Sequence, residues 1–197
     1  MHHVPEQGFT IAAIERGATD SGHLEITRNL FTRGSFDLIR FHLYRERMNL
    51  HNYKSELEAE KGVGKKIRHL CYQRLRANQP YIDHWQDALA VMSMPANVPA
   101  SLQELHDLSD EMWHLVDDQS ADMAWYTKRM SLSTVYASTD MFMTQDKSEN
   151  FQNTWEFLDR RLNEVHTIGS SIGEITQFVG FQLWQAGNIL ASKGIKL

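Results

Sequence analysis

Apolar residues recur along most of this chain every three or four positions, which is the spacing of an amphipathic α-helix. The segment 35–60 carries one such apolar stripe, formed by Phe36, Ile39, Leu43 and Leu50. The segment 65–78 carries another, formed by Ile67, Leu70, Cys71 and Leu75. This second helix should end before Pro80, because proline disfavours helical geometry in the preceding residue. No extended alternation of β-branched residues indicates a strand, so the pattern predicts an all-α fold.

Four further helices are predicted downstream, over residues 82–92, 101–115, 122–144 and 151–165, with Ser120 as an alternative start for the third. Ser101 and Glu104 have the spacing of a capping box, so the second of these helices is predicted to begin at Ser101. Its predicted inward positions are Leu102, Leu105, Leu108, Met112 and Leu115. The last helix places Trp155, Leu158 and Leu162 at core spacing, after a turn at 146–150.

The N-terminal third has a different layout, with two short predicted helices, 10–18 and 24–31, before the long one. This order is typical of a helix-turn-helix head joined to a helical body. A DNA-reading second helix would carry several basic or amide side chains, whereas this one offers only Arg28 and Asn29. We therefore predict a degenerate head over residues 1–34, which packs without contacting DNA, and a helical body over 35–170.

The composition fits one folded domain and argues against a dedicated nucleic-acid binder. The chain has 197 residues, of which 42% are hydrophobic, and a formal net charge of −5, whereas such binders usually carry a basic face. Cys71 is the single cysteine, which excludes an internal disulfide and a cysteine-based zinc site and fits a reducing compartment. No apolar run approaches the roughly 20 residues of a membrane span, and we expect no signal or transit peptide at the start of the chain.

Signatures of catalysis are sparse. Glu111 and His114 have the spacing of one Glu-x-x-His pair, but a di-iron helix bundle needs two such pairs and two further glutamates. The run from Gly62 to Lys66 lacks the strand and the Gly-Lys-Ser/Thr ending of a phosphate-binding loop. We predict a protein that is not an enzyme and uses no metal or cofactor, with a metal-dependent enzyme as the alternative.

The helix predicted from residue 122 carries the densest pattern. Four residues share one face at spacings of three and four: Asp122, Trp125, Tyr126 and Arg129. Aromatic, acidic and arginine side chains together are typical of protein interfaces, although a tryptophan packed beneath an Asp–Arg pair would be structural. The opposite face is partly lined by residues that suit either a core or a lipid tail: Met123, Met130, Leu132, Val135, Met141 and Phe142.

The last predicted helix, 172–192, is too apolar for a solvated surface. Its stripe consists of Ile172, Ile175, Val179, Leu183, Ala186 and Leu190, and is widened by Phe178, Phe181 and Trp184. Either this helix closes the core of the bundle, or it is an amphipathic helix that lies at a membrane interface.

Several runs carry a family resemblance. They are 122–129 (DMAWYTKR), Val135-Tyr136, Ser138-Thr139, Asp146, and 154–161 (TWEFLDRR). The opening residues 4–10 (VPEQGFT), with Ala13-Ile14, Gly17-Ala18 and Phe31, follow the same pattern. Over nearly the whole chain, the sequence resembles the Coq-nine family of coenzyme Q biosynthesis.

The resemblance implies a TetR-like helical bundle with a lipid pocket in its body. It implies that the protein binds isoprenoid quinone intermediates and presents them to the di-iron demethoxyubiquinone hydroxylase of the coenzyme Q synthesis complex. The expected location is the matrix face of the mitochondrial inner membrane. The implied hydroxylase contacts are Asp122, Trp125, Tyr126 and Arg129.

The resemblance also implies that residues 171–197 form an amphipathic, membrane-associating helix and tail. The membrane contacts would be Ile175, Phe178, Val179, Phe181, Leu183 and Trp184. By this resemblance we expect the sequence to begin inside the first helix of the TetR-like head. A dimer contact through that helix, and with it a homodimer, is therefore left open. A TetR-like DNA-binding regulator and a scaffold without a lipid pocket are the alternative functions.

Overall fold

The computed structural model describes residues 1–118 and 122–168, and these residues contain helices and no strand. The prediction of an all-α fold is confirmed. The α-helices are α1 (Val4–Gln7), α2 (Ile11–Asp20), α3 (Ser35–Asn49), α4 (Lys54–Ala59), α5 (Val63–Arg76), α6 (Ile82–Met92), α7 (Val98–Leu115), α8 (Asp122–Met143) and α9 (Gln152–Ile168). Short 3₁₀ helices span Glu25–Leu30, Leu50–Tyr53, Gln79–Tyr81 and Glu149–Phe151.

Most of the predicted helices are present, with local differences. The segment predicted as a helix at 24–31 is a 3₁₀ helix, and the long helix predicted at 35–60 is α3 and α4 joined through a 3₁₀ turn. Thr10 starts α2 as expected, because its hydroxyl oxygen accepts a hydrogen bond from the Ala13 N–H at 3.2 Å. The interpretation of residues 1–34 as a degenerate helix-turn-helix head stays a prediction.

The start of α7 corrects two predictions. The helix begins at Val98, with Pro99 in its first turn, where a missing N–H costs no hydrogen bond. The Ser101 hydroxyl therefore does not cap the helix and instead donates to the carbonyl oxygens of Met92 and Asn97. Leu102 is 51% exposed rather than buried, because the packed part of α7 begins one turn later, at Leu105.

Asp146 organises the connection between α8 and α9. One carboxylate oxygen accepts from the N–H and hydroxyl of Ser148, at 2.8 and 2.6 Å. The other accepts from the N–H and hydroxyl of Thr154, at the same two distances. Partial burial opposes ionisation of this carboxyl, but the four hydrogen bonds prevail and lower its pKa. The predicted turn at 146–150 is thus held by one side chain, which fixes where α9 begins.

Two apolar cores hold the described residues together. The larger one joins α5, α7, α8 and α9 through buried side chains that include Leu70, Leu75, Met112, Val135 and Leu158. The smaller one joins the N-terminal segment to α3 and α6 through Val4, Phe9, Ala13, Ile14, Leu38, Ile39, Trp85 and Ala88. Both sides of residue 34 therefore contribute to the smaller core.

The segment before α2 reaches this core through a tight turn at Gly8. Its φ of +69° lies in the region that favours glycine, and an added Cβ would lie 3.1 Å from the His84 ring. The His84 ring in turn donates from Nε2 to the carbonyl oxygen of Pro5 at 3.2 Å. These contacts direct Phe9 inward between α3 and α6.

Within residues 1–118 and 122–168, no helix combines the length and the apolar character that a membrane span requires. The predicted helix 172–192 and its membrane residues Ile175, Phe178, Val179, Phe181, Leu183 and Trp184 lie outside the described residues.

Candidate functional site

The predicted partner residues lie at the start of α8, beside the end of α7. Tyr126 is 64% exposed, Trp125 is half-buried, and Arg129 is only 4% exposed. The backbone of Asp122 begins α8, but its side chain lies outside the described part of the structure. We refer to Trp125, Tyr126 and Arg129, with Asp110 and Asp118 behind them, as the Trp125 face.

Arg129 supports this face from below. Its Nε donates to the Asp110 carboxylate, its Nη1 donates to the Trp125 carbonyl oxygen at 3.3 Å, and Nη1 lies 3.7 Å from Asp118. The guanidinium carbon lies 4.0 Å from the centre of the Trp125 ring, in cation–π geometry. A buried arginine requires such partners, because an unpaired buried charge is costly. Arg129 therefore fixes the orientation of Trp125 and presents little surface of its own.

The aromatic side chains of the Trp125 face are ordered by their neighbours. The Trp125 and Tyr126 rings meet edge to face with centres 4.8 Å apart, and His106 approaches Trp125 at 6.0 Å. Beside them, Lys128 pairs with Asp118 at 2.6 Å and lies 5.1 Å from the Trp113 ring centre. The face thus offers an exposed Tyr126 ring against a half-buried Trp125 ring, and both Lys128 and Arg129 beside them are paired with carboxylates.

The residues predicted to contact lipid do not share one lining. Leu132 and Val135 are buried in the larger core, whereas Met130 is 52% exposed. Met141 is partly buried, and Phe142, 38% exposed, stacks on Phe157 with ring centres 4.6 Å apart. The side chain of Met123 lies outside the described residues. The predicted lipid contacts therefore include both core residues and surface residues of α8.

A second cluster of polar side chains is buried between the two cores, and the sequence pattern did not single it out. It consists of two pairs spaced by four residues, Arg74 with Asn78 and Tyr136 with Asp140, together with His42 and Trp85. We call these six residues the buried polar cluster. Each is at most 6% exposed. The sequence did contain one sign of this cluster: its polar residues lie on the same faces of two helices as the apolar core residues.

Asn78 is the centre of the buried polar cluster. Its amide oxygen accepts from Arg74 Nη1 and faces His42 Nε2, both at 2.9 Å. Its amide nitrogen donates to Asp140 Oδ1 at 2.9 Å, and Trp85 Nε1 donates to the same oxygen at 2.9 Å. Since the amide oxygen can only accept, His42 carries its proton on Nε2, which leaves Nδ1 as an acceptor.

Burial shifts the ionisation of the cluster towards neutral forms. It raises the pKa of Asp140 from 3.8 to about 6, against the opposing influence of Arg74 and of two hydrogen bonds. Burial and the nearby Arg74 charge lower the pKa of His42 from 6.5 to about 4. Burial also raises the pKa of Tyr136, so its hydroxyl keeps its proton.

Three polar atoms of the cluster have no hydrogen-bond partner within the part of the chain that the structure describes. They are His42 Nδ1, Arg74 Nε and the Tyr136 hydroxyl. The nearest carboxylate to His42 Nδ1 is that of Glu46, at 4.0 Å. Asn78 lies close enough to Tyr136 to influence its pKa, but without completing a hydrogen bond. Each unsatisfied buried group costs about 1–3 kcal/mol, so the cluster has capacity for a further polar partner.

The Glu111 and His114 pair does not gather a metal site in the described residues, where no group of three metal-binding side chains occurs. Glu111 instead pairs with His51, at 2.9 Å.

Comparison with known proteins places these features in a family context. Residues 98–169, which include the Trp125 face and Asp140, match the model of the family described as COQ9. The chain is 33% identical over 195 residues to "Ubiquinone biosynthesis protein coq9, mitochondrial" of Schizosaccharomyces pombe, covering 99% of this chain and 78% of that protein.

The proteins named "Ubiquinone biosynthesis protein COQ9, mitochondrial" in Homo sapiens and Drosophila melanogaster are also similar. They are 33% and 32% identical to this chain, over 183 and 172 residues. The matches cover 89% and 84% of this chain, but only 58% and 52% of those proteins. The chain thus spans little more than half the length of these two relatives.

Proposed function

Because the chain belongs to the COQ9 family of mitochondrial ubiquinone biosynthesis proteins, we propose that it binds isoprenoid quinone intermediates and presents them to the demethoxyubiquinone hydroxylase. In this proposal the protein itself catalyses no reaction. The observation that carries the proposal is the pair of a half-buried Trp125 and an exposed Tyr126 within the family-matched region, where Arg129 holds Trp125 in place.

The Trp125 face has the properties of a protein-binding surface. Aromatic anchors supply most of the binding free energy at interfaces, and they bind more tightly when they are ordered before the partner arrives. Here the contacts of Arg129 and His106 restrict Trp125 before any partner binds. Arg129 is also paired with Asp110 and Asp118, so its charge is already compensated before a partner docks. These features favour a hydroxylase contact that is mainly aromatic.

A path of solvent-facing side chains continues from this face along α8. Tyr126, Met130 and Ala137 are exposed at helical spacing, and Thr134, whose hydroxyl donates to the Met130 carbonyl oxygen, lies between the last two. A methionine side chain adapts readily to a flexible isoprenoid tail, and burial of a tail contributes about 0.8 kcal/mol per CH₂ group. The path supports delivery of a lipid close to the point where the hydroxylase docks.

The membrane part of the proposal concerns residues 171–197. Their apolar stripe would associate with the matrix face of the mitochondrial inner membrane, while residues 35–170 hold the lipid. The coenzyme Q synthesis complex is then the wider partner, and a homodimer is compatible with this arrangement.

Pull-down of the hydroxylase tests the proposal directly. Trp125→Ala and Tyr126→Ala should each leave the helical content unchanged and reduce hydroxylase capture at least 10-fold, because loss of an aromatic anchor costs about 2 kcal/mol or more. Circular dichroism reports the fold, and immunoblotting reports the captured hydroxylase.

Tyr44→Ala provides the matched control, since Tyr44 is a similarly exposed tyrosine on α3. It should not change capture. Undiminished capture by both Trp125→Ala and Tyr126→Ala would exclude this face as the docking site. Capture of hydroxylase by a protein that takes up no prenyl quinone from vesicles would favour a scaffold.

A further inference from the structure

The buried polar cluster has more hydrogen-bonding capacity than its own residues use. The amide oxygen of Asn78 is fully engaged, because it faces both Arg74 and His42, and one hydrogen of the amide nitrogen goes to Asp140. The second amide hydrogen of Asn78 can only donate, so Asn78 cannot accept from Arg74 Nε or from the Tyr136 hydroxyl. These two donors belong to α5 and α8, and the Arg74 guanidinium lies 5.9 Å from the Tyr136 ring centre. One acceptor atom bound between the two helices could therefore serve both donors.

The charge of the cluster favours an oxygen acceptor. The hydrogen bond of Arg74 goes to the neutral amide of Asn78, and Asp140 is reached only through that amide. The guanidinium and the Asp140 carboxylate influence each other across this amide, but they form no direct ion pair within the described residues. A carbonyl or phenolic oxygen, which carries partial negative charge, fits this environment better than a second cation or an apolar group.

Aromatic rings enclose the other side of the cluster. His42 packs edge-on against Tyr81 and Trp85, with ring centres 5.0 and 5.3 Å apart. Phe9 contacts His42, Tyr81 and Trp85 at 5.6 to 5.8 Å. A flat six-membered ring finds favourable edge and face contacts among such side chains. Because Phe9 belongs to the segment before α2, outward movement of that segment would give a ligand access to the cluster.

We infer that the buried polar cluster binds the oxygenated headgroup of a quinone or phenol, with Arg74 Nε and the Tyr136 hydroxyl donating to one ring oxygen. The inference deepens the proposed function, on which it rests, by assigning the headgroup to the unpartnered donors of α5 and α8. The isoprenoid tail would then extend into the apolar surroundings of the cluster.

Tyr136→Phe is the sharpest probe, because it removes only a hydroxyl that has no hydrogen-bond partner in the described protein. Ligand-free protein should keep its unfolding temperature. The affinity for a 2,3-dimethoxybenzoquinone with a short prenyl tail should fall about 5- to 10-fold, as expected for one lost hydrogen bond. The affinity for an isoprenoid hydrocarbon of the same length, which has no headgroup, should not change. Titration followed by tryptophan fluorescence measures both affinities.

Tyr44→Phe is the matched control, because Tyr44 is an exposed tyrosine on α3 that belongs neither to the buried polar cluster nor to the Trp125 face. It should bind both ligands as the wild type does. Equal quinone affinity of Tyr136→Phe and wild type would overturn the headgroup site, with an internal water as the remaining partner of the hydroxyl. The proposed function would still stand if wild-type protein took up prenyl quinone from vesicles. Failure of that uptake would overturn both.

Discussion

Burial shifts the pKa values of Asp140 and His42 in opposite directions, so the two residues contribute with opposite signs to the pH dependence of stability. The pKa of Asp140 is raised to about 6, so between pH 4 and 6 the folded protein binds more protons there than the unfolded chain, and stability falls as pH rises. The pKa of His42 is lowered to about 4, so between pH 4 and 6.5 the folded protein binds fewer protons there, and stability falls as pH drops. The two effects offset each other over most of this range.

Asp140→Asn should therefore make the protein sensitive to mild acid. The amide keeps an acceptor for Asn78 and Trp85 but no longer titrates, which leaves the effect of His42 unopposed. The free energy of unfolding should decrease between pH 6.5 and 4, by at most about 1.36 kcal/mol per pH unit relative to wild type. Urea denaturation at several pH values measures this difference.

Asp87→Asn is the control for a general effect of charge, since Asp87 is exposed on α6. Its stability should follow the wild-type pH dependence. Parallel curves for Asp140→Asn and wild type would show that the two buried groups do not compensate each other.

At the scale of one element, α9 depends on the side chain that precedes it. Asp146→Ala removes four hydrogen bonds, two of which hold the first turn of α9 through Thr154. We expect a loss of about 1–2 kcal/mol in the free energy of unfolding, the upper part of the range for lost helix caps. Chemical denaturation measures the loss, and the exposed Asp87→Ala should cost much less. A loss no larger than that of Asp87→Ala would contradict the capping role.

The helices also show what the sequence could and could not predict. Residues 82–92 form α6 with the predicted bounds, because the proline before it and the apolar spacing agree. The predicted start of α7 at Ser101 was wrong, because Pro99 fits the first turn of a helix as well as it fits a loop. Arg74, Asn78 and Asp140 were missed because spacing places a residue on a face but cannot tell a paired buried polar group from a solvated one. The contacts that distinguish these cases join residues as far apart as Asn78 and Asp140.

On the scale of the whole molecule, the segment before α2 is an integral part of the smaller core. Phe9 is 7% exposed and packs with Trp85 in the smaller core. Phe9→Ala should therefore lower the free energy of unfolding by about 3 kcal/mol, the lower end of the range for buried phenylalanine. Ile11 lies two positions away and is 48% exposed, so Ile11→Ala should lower the free energy of unfolding far less. Thermal and urea unfolding would measure both, and equal small losses would show that the segment is not integral.

The anchoring of Val4 and Phe9 has a practical consequence for how the protein is handled. A protease that cuts before α2 would not trim a tail but would remove two side chains from the smaller core. A shortened chain that starts at Ile11 would expose Trp85 and His42 on one side and should aggregate more readily than the chain that retains these residues. An affinity tag is therefore better joined to Met1 through a flexible spacer than substituted for the first ten residues.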